Sequence, residues 1–423
     1  LVIRPPLTYR RRAFLWRLSP HHPERRHAFS WRDERSSSID SIADFNSMNA
    51  RLAASKAAER VLDQALGPCS RSQLPARAEV VVVGAGLAGL LLASTFAVSG
   101  ATPLAVLEKS LTAGGTWRHY GNAFSRVNSS EPSYRLRVKA REQHNTNHSH
   151  HSEILAEAVR AVDQHALTTC IHTNAAVHRV TCTTPRSGWL LAGRRHDTTP
   201  FALPCAFVVL ATNRRLGEPR RMDLPGEDAF GGTVKRGLSG DVNALHCAGD
   251  RVVVLGMGAF AIENVRTSLE RGATHVTIVC RRRGTACPQI IDWVNFIRPF
   301  DEEFQRGAAG DAVVLSQWQK AYDISGATRP DCWKADGVLK PDGHTVSTSD
   351  MFFIAHHLRM LATQLGEVAW LEAATVVMRS NDERLAARVV IKCVGFELNE
   401  GNERLLGRSR LRSVGMVERG LWL

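Results

Sequence analysis

The feature that most constrains this chain is a pattern of strand, glycine-rich turn, helix and strand that occurs twice. The first copy reads VVVVGAGLAGL from Val80, and the second reads VVVLGMGAFAI from Val252. A strand that leads through such a turn into a helix is typical of βαβ units that bind a dinucleotide. Two copies in one chain therefore predict an α/β fold with two Rossmann-like dinucleotide-binding domains.

In the first copy, each glycine has a separate physical task. Gly84 makes the tight turn, Gly86 lets the backbone approach a pyrophosphate, and Gly89 lets the helix pack closely on the strand. The helix begins just after Ala85 and directs its free N–H groups at the phosphates. Glu108 ends the next strand, where a carboxylate accepts hydrogen bonds from ribose hydroxyls. These five residues are the predicted contacts of the first dinucleotide.

The second copy differs from the first at the end of its second strand. That strand, 275–279, runs into the three arginines Arg281–Arg283 instead of an acid. Guanidinium groups can bind a 2′-phosphate, whereas the carboxylate of Glu108 would repel one. The first copy is therefore predicted to bind FAD and the second NADPH, the alternative being a solvated basic run. The predicted NADPH contacts are Gly256, Gly258, Ala259, Phe260, Ala261, Arg281 and Arg282.

Two segments downstream of the first copy resemble the flavin-containing monooxygenases. They are EKSLTAGGTW from Glu108 and SRVNSSEPSY from Ser125. The resemblance implies that Trp117 lies along FAD and that Asn128, as the catalytic residue, reaches the flavin and the nicotinamide. Without the resemblance, Asn128 would be an ordinary turn residue. The further cofactor contacts that the resemblance implies are Gly115, Thr116, Ser129 and Val177.

The resemblance also implies a domain organisation in which an NADP-binding domain is inserted into the FAD-binding domain. The predicted segments are a basic leader with one helix, 1–78; the first part of the FAD-binding domain, 79–220; the NADP-binding domain with a helical insertion, 221–374; and a return segment of the FAD-binding domain, 375–423. Because a flavoprotein of this shape would continue into another flavin-contacting segment, we expect the return segment to be incomplete at Leu423.

An activity is implied by the same resemblance. It is that of an NADPH- and FAD-dependent monooxygenase, which uses O2 and a flavin hydroperoxide to oxygenate a nitrogen or sulfur atom of a small-molecule substrate. Relatives of the Baeyer-Villiger type have a Pro-Gly pair and an Asp after the Trp, whereas here Tyr120 is followed by Gly121 and Asn122. That subtype is therefore disfavoured.

Two alternatives to a monooxygenase stay open. A flavin-dependent NADPH oxidase or reductase would use both nucleotide sites without inserting oxygen into a substrate. A degenerate, non-catalytic nucleotide-binding protein is the other alternative. It is motivated by Arg236 and Gly240, which replace the His and the aromatic residue of a family signature that begins at Phe230.

Charge and hydropathy patterning argue against two other kinds of partner. The net charge is +13, but residues 1–78 carry fourteen basic and only seven acidic residues. Because the excess is concentrated in a leader, we expect no nucleic-acid partner. The uncharged run between Glu79 and Glu108 is interrupted by glycines and Pro103, so we expect no transmembrane segment.

The cysteines and histidines indicate a reducing compartment and no metal. Nine scattered cysteines show no paired spacing, which favours structural thiols. Four histidines between His144 and His151 lack a second ligand group, so they are interpreted as loop and helix-cap residues. The leader is rich in Arg and Ser, as transit peptides are. We therefore expect an intracellular protein, cytoplasmic or targeted to an organelle, whose oligomeric state the sequence leaves open.

Outside the two glycine repeats, four segments have a clear secondary-structure pattern. A helix is predicted from Ala50 to Leu66, and a second from Asp350 to Leu365 with Ser349 as its N-cap. Phe207 to Leu210 and Val389 to Val394 are predicted to be buried strands.

Overall fold

Both glycine repeats fold into parallel βαβ units.

The computed structural model describes residues 39–66, 73–128, 134, 148–184, 188–213, 216–292, 308–333, 346–398 and 401–407. The chain divides into two units between Asn46 and Ser47, and every contact described below lies within the second unit. The helices are α1 (Ile39–Leu66), α2 (Leu87–Val98), α3 (Gly115–Tyr120), α4 (His151–Gln164), α5 (Ala259–Glu270), α6 (Gln289–Asp292), α7 (Ala308–Ser325), α8 (Asp350–His357) and α9 (Gly401–Leu406). The strands are β1 (Ala78–Val83), β2 (Leu104–Leu107), β3 (Ile171–His172), β4 (Ala175–Thr184), β5 (Gly188–Arg195), β6 (Pro200–Leu210), β7 (Thr233–Lys235), β8 (Arg251–Leu255), β9 (His275–Cys280), β10 (Ala286–Cys287), β11 (Ser347–Thr348), β12 (Leu361–Leu365), β13 (Val368–Glu372), β14 (Thr375–Met378), β15 (Arg384–Ala386) and β16 (Val389–Lys392).

The first sheet contains the first glycine repeat and has the strand order β3-β2-β1-β6-β5-β4. β3, β2, β1 and the end of β6 are parallel, whereas β4, β5 and the start of β6 form an antiparallel meander. β1 is buried on both faces. Val80 and Val82 pack with α2 and α4, and Val81 and Val83 pack with the meander. Burial on both faces explains the unbroken run of valines.

The long uncharged stretch of the sequence is thus divided among β1, α2 and β2. In the part of the chain that the structure describes, no helix has the length and apolar character needed to cross a membrane.

The second sheet contains the second glycine repeat and is parallel throughout, with the order β12-β9-β8-β16-β7. One face packs against α5 and α8, where Val252, Val254 and Ile278 lie in one core cluster with Phe352. The other face packs against a small antiparallel sheet of β13, β14 and β15. The carboxyl ends of β1 and β8 both lead into glycine turns, so each sheet presents one candidate site at that edge.

The secondary structure predicted outside the glycine repeats agrees with the structure only in part. The cap at Ser349 is confirmed, because its Oγ accepts a hydrogen bond from Phe352 N at 3.3 Å. The helix predicted to reach Leu365 is wrong beyond its first half. Arg359 adopts φ +59°, which ends the helix, and residues 361–365 instead form β12 at the edge of the second sheet.

Three further expectations differ in detail from the structure. The helix predicted from Ala50 already begins at Ile39. The strand at 207–210 is confirmed, but its predicted burial is wrong, because no described residue covers Phe207, which is 62% exposed. The strand near the C-terminus ends at Lys392, whose Nζ donates to Glu227 Oε1 at 2.6 Å.

The return to the first sheet occurs later than residue 375. β14 and β15 belong to the small antiparallel sheet, and β16 lies between β8 and β7 in the second sheet. β16 is buried along its whole length, which suits a central parallel strand. Contact with the first sheet begins at α9, where Leu405 packs into the core beneath β4 and Asn402 hydrogen-bonds Thr212.

Candidate functional site

The three glycines of the first repeat differ in the space around them. A β-carbon at Gly84 would lie 2.8 Å from Ala211 O, and one at Gly89 would lie 1.9 Å from Gly84 O. These two glycines are therefore required by packing within the protein. At Gly86 the only described contact would be an ordinary 3.7 Å approach to Gly115 Cα, and the backbone is extended there. Gly86 is thus the glycine of this repeat that faces open space.

Glu108 lies beside the first turn, held by two backbone donors. Its Oε2 accepts from Ala85 N at 2.8 Å, and its Oε1 accepts from Ser110 N at 2.8 Å. The side chain is 7% exposed. Because a carboxylate has about four acceptor positions, two bonds leave capacity for ligand hydroxyls. The N-terminus of α2 follows, and its N-cap Gly86 supplies no side-chain acceptor, so the N–H groups there can face an anion.

The GGTW motif packs against the same turn. Gly114 N donates to Ala85 O at 2.9 Å, and a β-carbon at Gly115 would lie 2.8 Å from Gly86 Cα. Helix α3 begins there and carries Thr116 and Trp117, both half-buried. The structure therefore brings the motif and the first glycine repeat together.

His151, interpreted from the sequence as a loop or cap residue, supports Trp117 from inside the core. Its Nε2 lies 2.9 Å from Trp117 O, and its Nδ1 lies 2.7 Å from Ser55 Oγ. Because a carbonyl only accepts, Nε2 donates, and the neutral ring accepts the hydroxyl of Ser55 at Nδ1. Burial lowers the pKa of His151, which favours that neutral form. No signal in the sequence marked this role.

The second glycine repeat has the same division of tasks. A β-carbon at Gly256 would lie 2.2 Å from Cys393 O, and Ala261 is fully buried at the helix-packing position. No described atom lies within 4 Å of a β-carbon at Gly258. Helix α5 begins at Ala259, and Phe260 is its second residue. The N-cap Gly258 supplies no side-chain acceptor. The predicted contacts from Gly256 to Ala261 therefore lie together in the glycine turn and the first residues of α5. The space beside this segment is open at Gly258.

The three arginines after β9 do not share one environment. Arg283 is engaged by Asp331, which pairs with its guanidinium at 2.9 Å and accepts from its backbone N at 2.8 Å. Arg281 is 75% exposed and lies 3.9 Å from Glu367. Arg282 is exposed as well. Arg281 and Arg282, the two residues predicted to contact a 2′-phosphate, are thus the two that extend toward solvent.

Asn128 lies against the second repeat. Its Nδ2 donates to Ala259 O at 3.2 Å, and its backbone O accepts from Thr348 N at 2.8 Å. Its Oδ1 is buried and has no hydrogen-bond partner among the described residues. An unpaired buried acceptor costs about 1–3 kcal/mol, so a ligand donor at this atom would be stabilising. Ser129, the other member of the predicted pair, lies outside the described residues.

Val177 lies on β4, half-buried against the first-sheet core. The start of β4 is tied to Glu108, because Ala175 N donates to Glu108 O at 2.8 Å. Val177 therefore lies on the strand that begins next to the predicted ribose-binding carboxylate.

No family model matches the chain. In sequence, it is similar to a Baeyer-Villiger monooxygenase from Streptomyces coelicolor, with 27% identity over 220 residues, which are 52% of this chain and 40% of that protein. It is also 27% identical over 216 residues to the FAD-binding monooxygenase VdtE from Byssochlamys spectabilis, which are 50% of this chain and 37% of that protein. The chain thus spans about two fifths of the length of these curated relatives.

The fold is shared with solved flavoenzymes. A steroid monooxygenase bound to NADP matches with a TM-score of 0.55 and 15% identity, over 78% of this chain and 73% of that one. An open structure of cyclohexanone monooxygenase matches with a TM-score of 0.54 and 18% identity, over 78% and 75%. These matches confirm the predicted α/β fold with two dinucleotide domains. The first relative's name does not support the prediction against the Baeyer-Villiger type. By sequence and by fold, the chain is similar to the flavin monooxygenases, as its motifs predicted.

Proposed function

We propose that this chain contains the two nucleotide sites of an NADPH- and FAD-dependent monooxygenase. The observation that carries the proposal is the position of Asn128, which follows the GGTW segment of the first site and contacts Ala259 at the start of the second. Its buried Oδ1, which has no hydrogen-bond partner among the described residues, is an acceptor that a bound flavin or nicotinamide could satisfy. The open positions at Gly86 and Gly258 fit two pyrophosphates.

The residues of the chain bind and orient the nucleotides in this proposal. Glu108 accepts hydrogen bonds from the ribose of FAD, and the N-termini of α2 and α5 each face a pyrophosphate. When bound, FAD supplies the redox chemistry that takes electrons from NADPH and passes them to O2. Asn128 lies beside the first turn of α5, and in this proposal its Oδ1 accepts a hydrogen bond from a bound nucleotide. The protein contributes position and electrostatics.

The two exposed arginines are expected to set the preference for NADPH. Replacing both Arg281 and Arg282 with alanine should weaken NADP⁺ binding about tenfold to a hundredfold, because charge-assisted bonds to a 2′-phosphate are lost. NAD⁺ binding, which has no such phosphate, should not change. Fluorescence titration of each nucleotide measures both affinities.

The matched control for these variants is Arg283→Ala. It removes the guanidinium contact with Asp331 and keeps the backbone N–H bond, so it should lower stability while leaving the ratio of NADP⁺ to NAD⁺ affinity unchanged. A double variant that keeps the wild-type ratio would show that the basic run is only a solvated surface.

We propose two candidate substrate classes. A small molecule oxygenated at nitrogen or sulfur is the first candidate, since Gly121 and Asn122 depart from the Baeyer-Villiger pattern. Oxygenation of a ketone is the second, and the name of the Streptomyces coelicolor relative favours it.

Product analysis of the FAD-reconstituted chain with NADPH and O2 distinguishes the two candidate substrate classes. A thioether and a cyclic ketone are supplied in separate reactions. We expect the thioether to yield its sulfoxide. We also expect less hydrogen peroxide to be released per NADPH consumed when substrate is present. Lactone formed from the ketone would favour the second candidate. Peroxide released at one molecule per NADPH with either substrate, and no oxygenated product, would contradict a monooxygenase and favour an oxidase.

A further inference from the structure

A polar face of α5 is joined to the segment that carries Asn128. The segment is 122–128, named here the linking segment. The four residues of α5 that contact it are spaced by four, three and four positions, so they lie on one face of the helix. They are Ala259, Glu263, Arg266 and Glu270, which contact Asn128, Ser125, Phe124 and Arg126 in that order. The linking segment therefore lies along the helix that begins at the second nucleotide site.

Glu263 is at the centre of this contact. Its Oε1 accepts from Ser125 Oγ at 2.7 Å, and its Oε2 accepts from Arg126 N at 3.3 Å. The side chain is only 5% exposed. Burial raises the pKa of Glu263, while the neighbouring Arg266 opposes that rise. A buried carboxylate with two donors from one short segment fixes that segment more firmly than an exposed pair would.

Two further contacts hold the linking segment on the same helix. Arg266 donates from NH2 to Phe124 O at 3.1 Å, and Arg126 pairs with Glu270 at 3.2 Å. Burial, and to a smaller extent the charge of the nearby Arg266, lowers the pKa of Arg126 to about 10. This value is still far above neutral pH. Arg126 therefore stays charged under ordinary conditions.

We propose that Glu263 is a positioning residue that holds Asn128 against the first turn of α5 and so couples the two nucleotide sites. The coupling rests on the proposed function, because it requires that both sites bind nucleotides. Asn128 is three residues from Ser125, and Ala259 is four residues from Glu263 on the same helix. A displacement of α5 by a nucleotide at its N-terminus therefore moves Asn128, and by linkage a nucleotide at the first site acts back on the second.

The coupling is tested by titrating FAD into the full chain with and without saturating NADP⁺. In the wild-type protein the two FAD dissociation constants should differ about fivefold or more. In Glu263→Gln, and separately in Ser125→Ala, which keeps the buried charges, that ratio should approach one. A wild-type ratio near one, or variants that keep the wild-type ratio, would overturn the coupling.

The matched control is Glu157→Gln. Glu157 lies on α4, is also 5% exposed and forms an ion pair with Arg160, which is not part of the linking segment. It reports the general effect of losing a buried carboxylate. Its FAD titration should show the same dependence on NADP⁺ as the wild-type protein.

Hydrogen exchange of the linking segment gives a readout that needs no nucleotide. Amide exchange in residues 124–127 should be about tenfold faster in Glu263→Gln and Ser125→Ala than in the wild-type protein, and unchanged in Glu157→Gln. Unchanged exchange in both linking variants would overturn the positioning role. If the wild-type chain binds neither FAD nor NADP⁺, the proposed function and the coupling fail, and the exchange result still decides whether Glu263 positions the segment.

Discussion

Replacing Gly89 with alanine is expected to lower the free energy of unfolding by about 3 kcal/mol, the upper part of the usual range for overpacking. A β-carbon there would lie 1.9 Å from Gly84 O and 3.4 Å from Ala211 Cβ, and the nearer of these is backbone, which cannot rotate away. Helix α2 would have to move off β1 at the turn that forms the first site. Urea denaturation of the two proteins measures the difference.

The control for Gly89→Ala is Gly258→Ala. Gly258 adopts φ −90° and ψ −174°, an extended conformation open to any residue, and its β-carbon would meet no described atom within 4 Å. Its free energy of unfolding should change by no more than about 0.5 kcal/mol. Equal stability of the Gly89 variant and the wild-type protein would mean that the close packing of α2 on β1 is not required.

The glycine motifs predicted the two βαβ units and their turns because every step of such a unit is local in sequence. The turn at Gly84, the packing position at Gly89 and the carboxylate at Glu108 lie within one short stretch. Each has a physical requirement that a residue type reveals: no β-carbon, or an acceptor at a strand end. The same reasoning placed Ala261 correctly in the second repeat, where it is fully buried.

Predictions that depended on distant pairing were less successful. Leu361–Leu365 reads LATQL, which is too short to show a period that separates a helix from a strand. Only the left-handed backbone of Arg359 and the pairing with β9 decide its structure. β16 lies within the range predicted for the return segment, 375–423, but its neighbours in the sheet, β8 and β7, precede it by more than a hundred residues.

The contacts between α5 and the linking segment were also invisible in the sequence. Glu263 occurs in an ordinary amphipathic helix pattern, and nothing local shows that it meets Ser125, 138 positions earlier. His151 is similar, because its partners Ser55 and Trp117 lie in two other helices. Positions that support a site through tertiary contacts require the fold before they can be recognised.

Replacing Gly258 with valine should abolish tight NADP⁺ binding while leaving the fold intact. The extended backbone accepts a β-branched residue, and the space beside it is free of described atoms. That space is where a pyrophosphate would approach the N-terminus of α5, so the branched side chain would occupy the position of the ligand. We expect the dissociation constant for NADP⁺ to rise about a hundredfold, equivalent to about 2.7 kcal/mol. Titration calorimetry measures it, with the urea midpoint confirming the fold.

The reciprocal variant separates the two sites. Gly86→Ala places a β-carbon at an ordinary 3.7 Å from Gly115 Cα, so it should fold and weaken FAD binding while the intrinsic affinity for NADP⁺ is kept. Gly258→Val should show the opposite pattern. If each variant weakened both nucleotides equally, the two open glycines would not serve separate sites. If Gly258→Val bound NADP⁺ as tightly as the wild-type protein, the space at Gly258 would not be the path of the pyrophosphate, and the assignment of the second site to NADPH would be wrong.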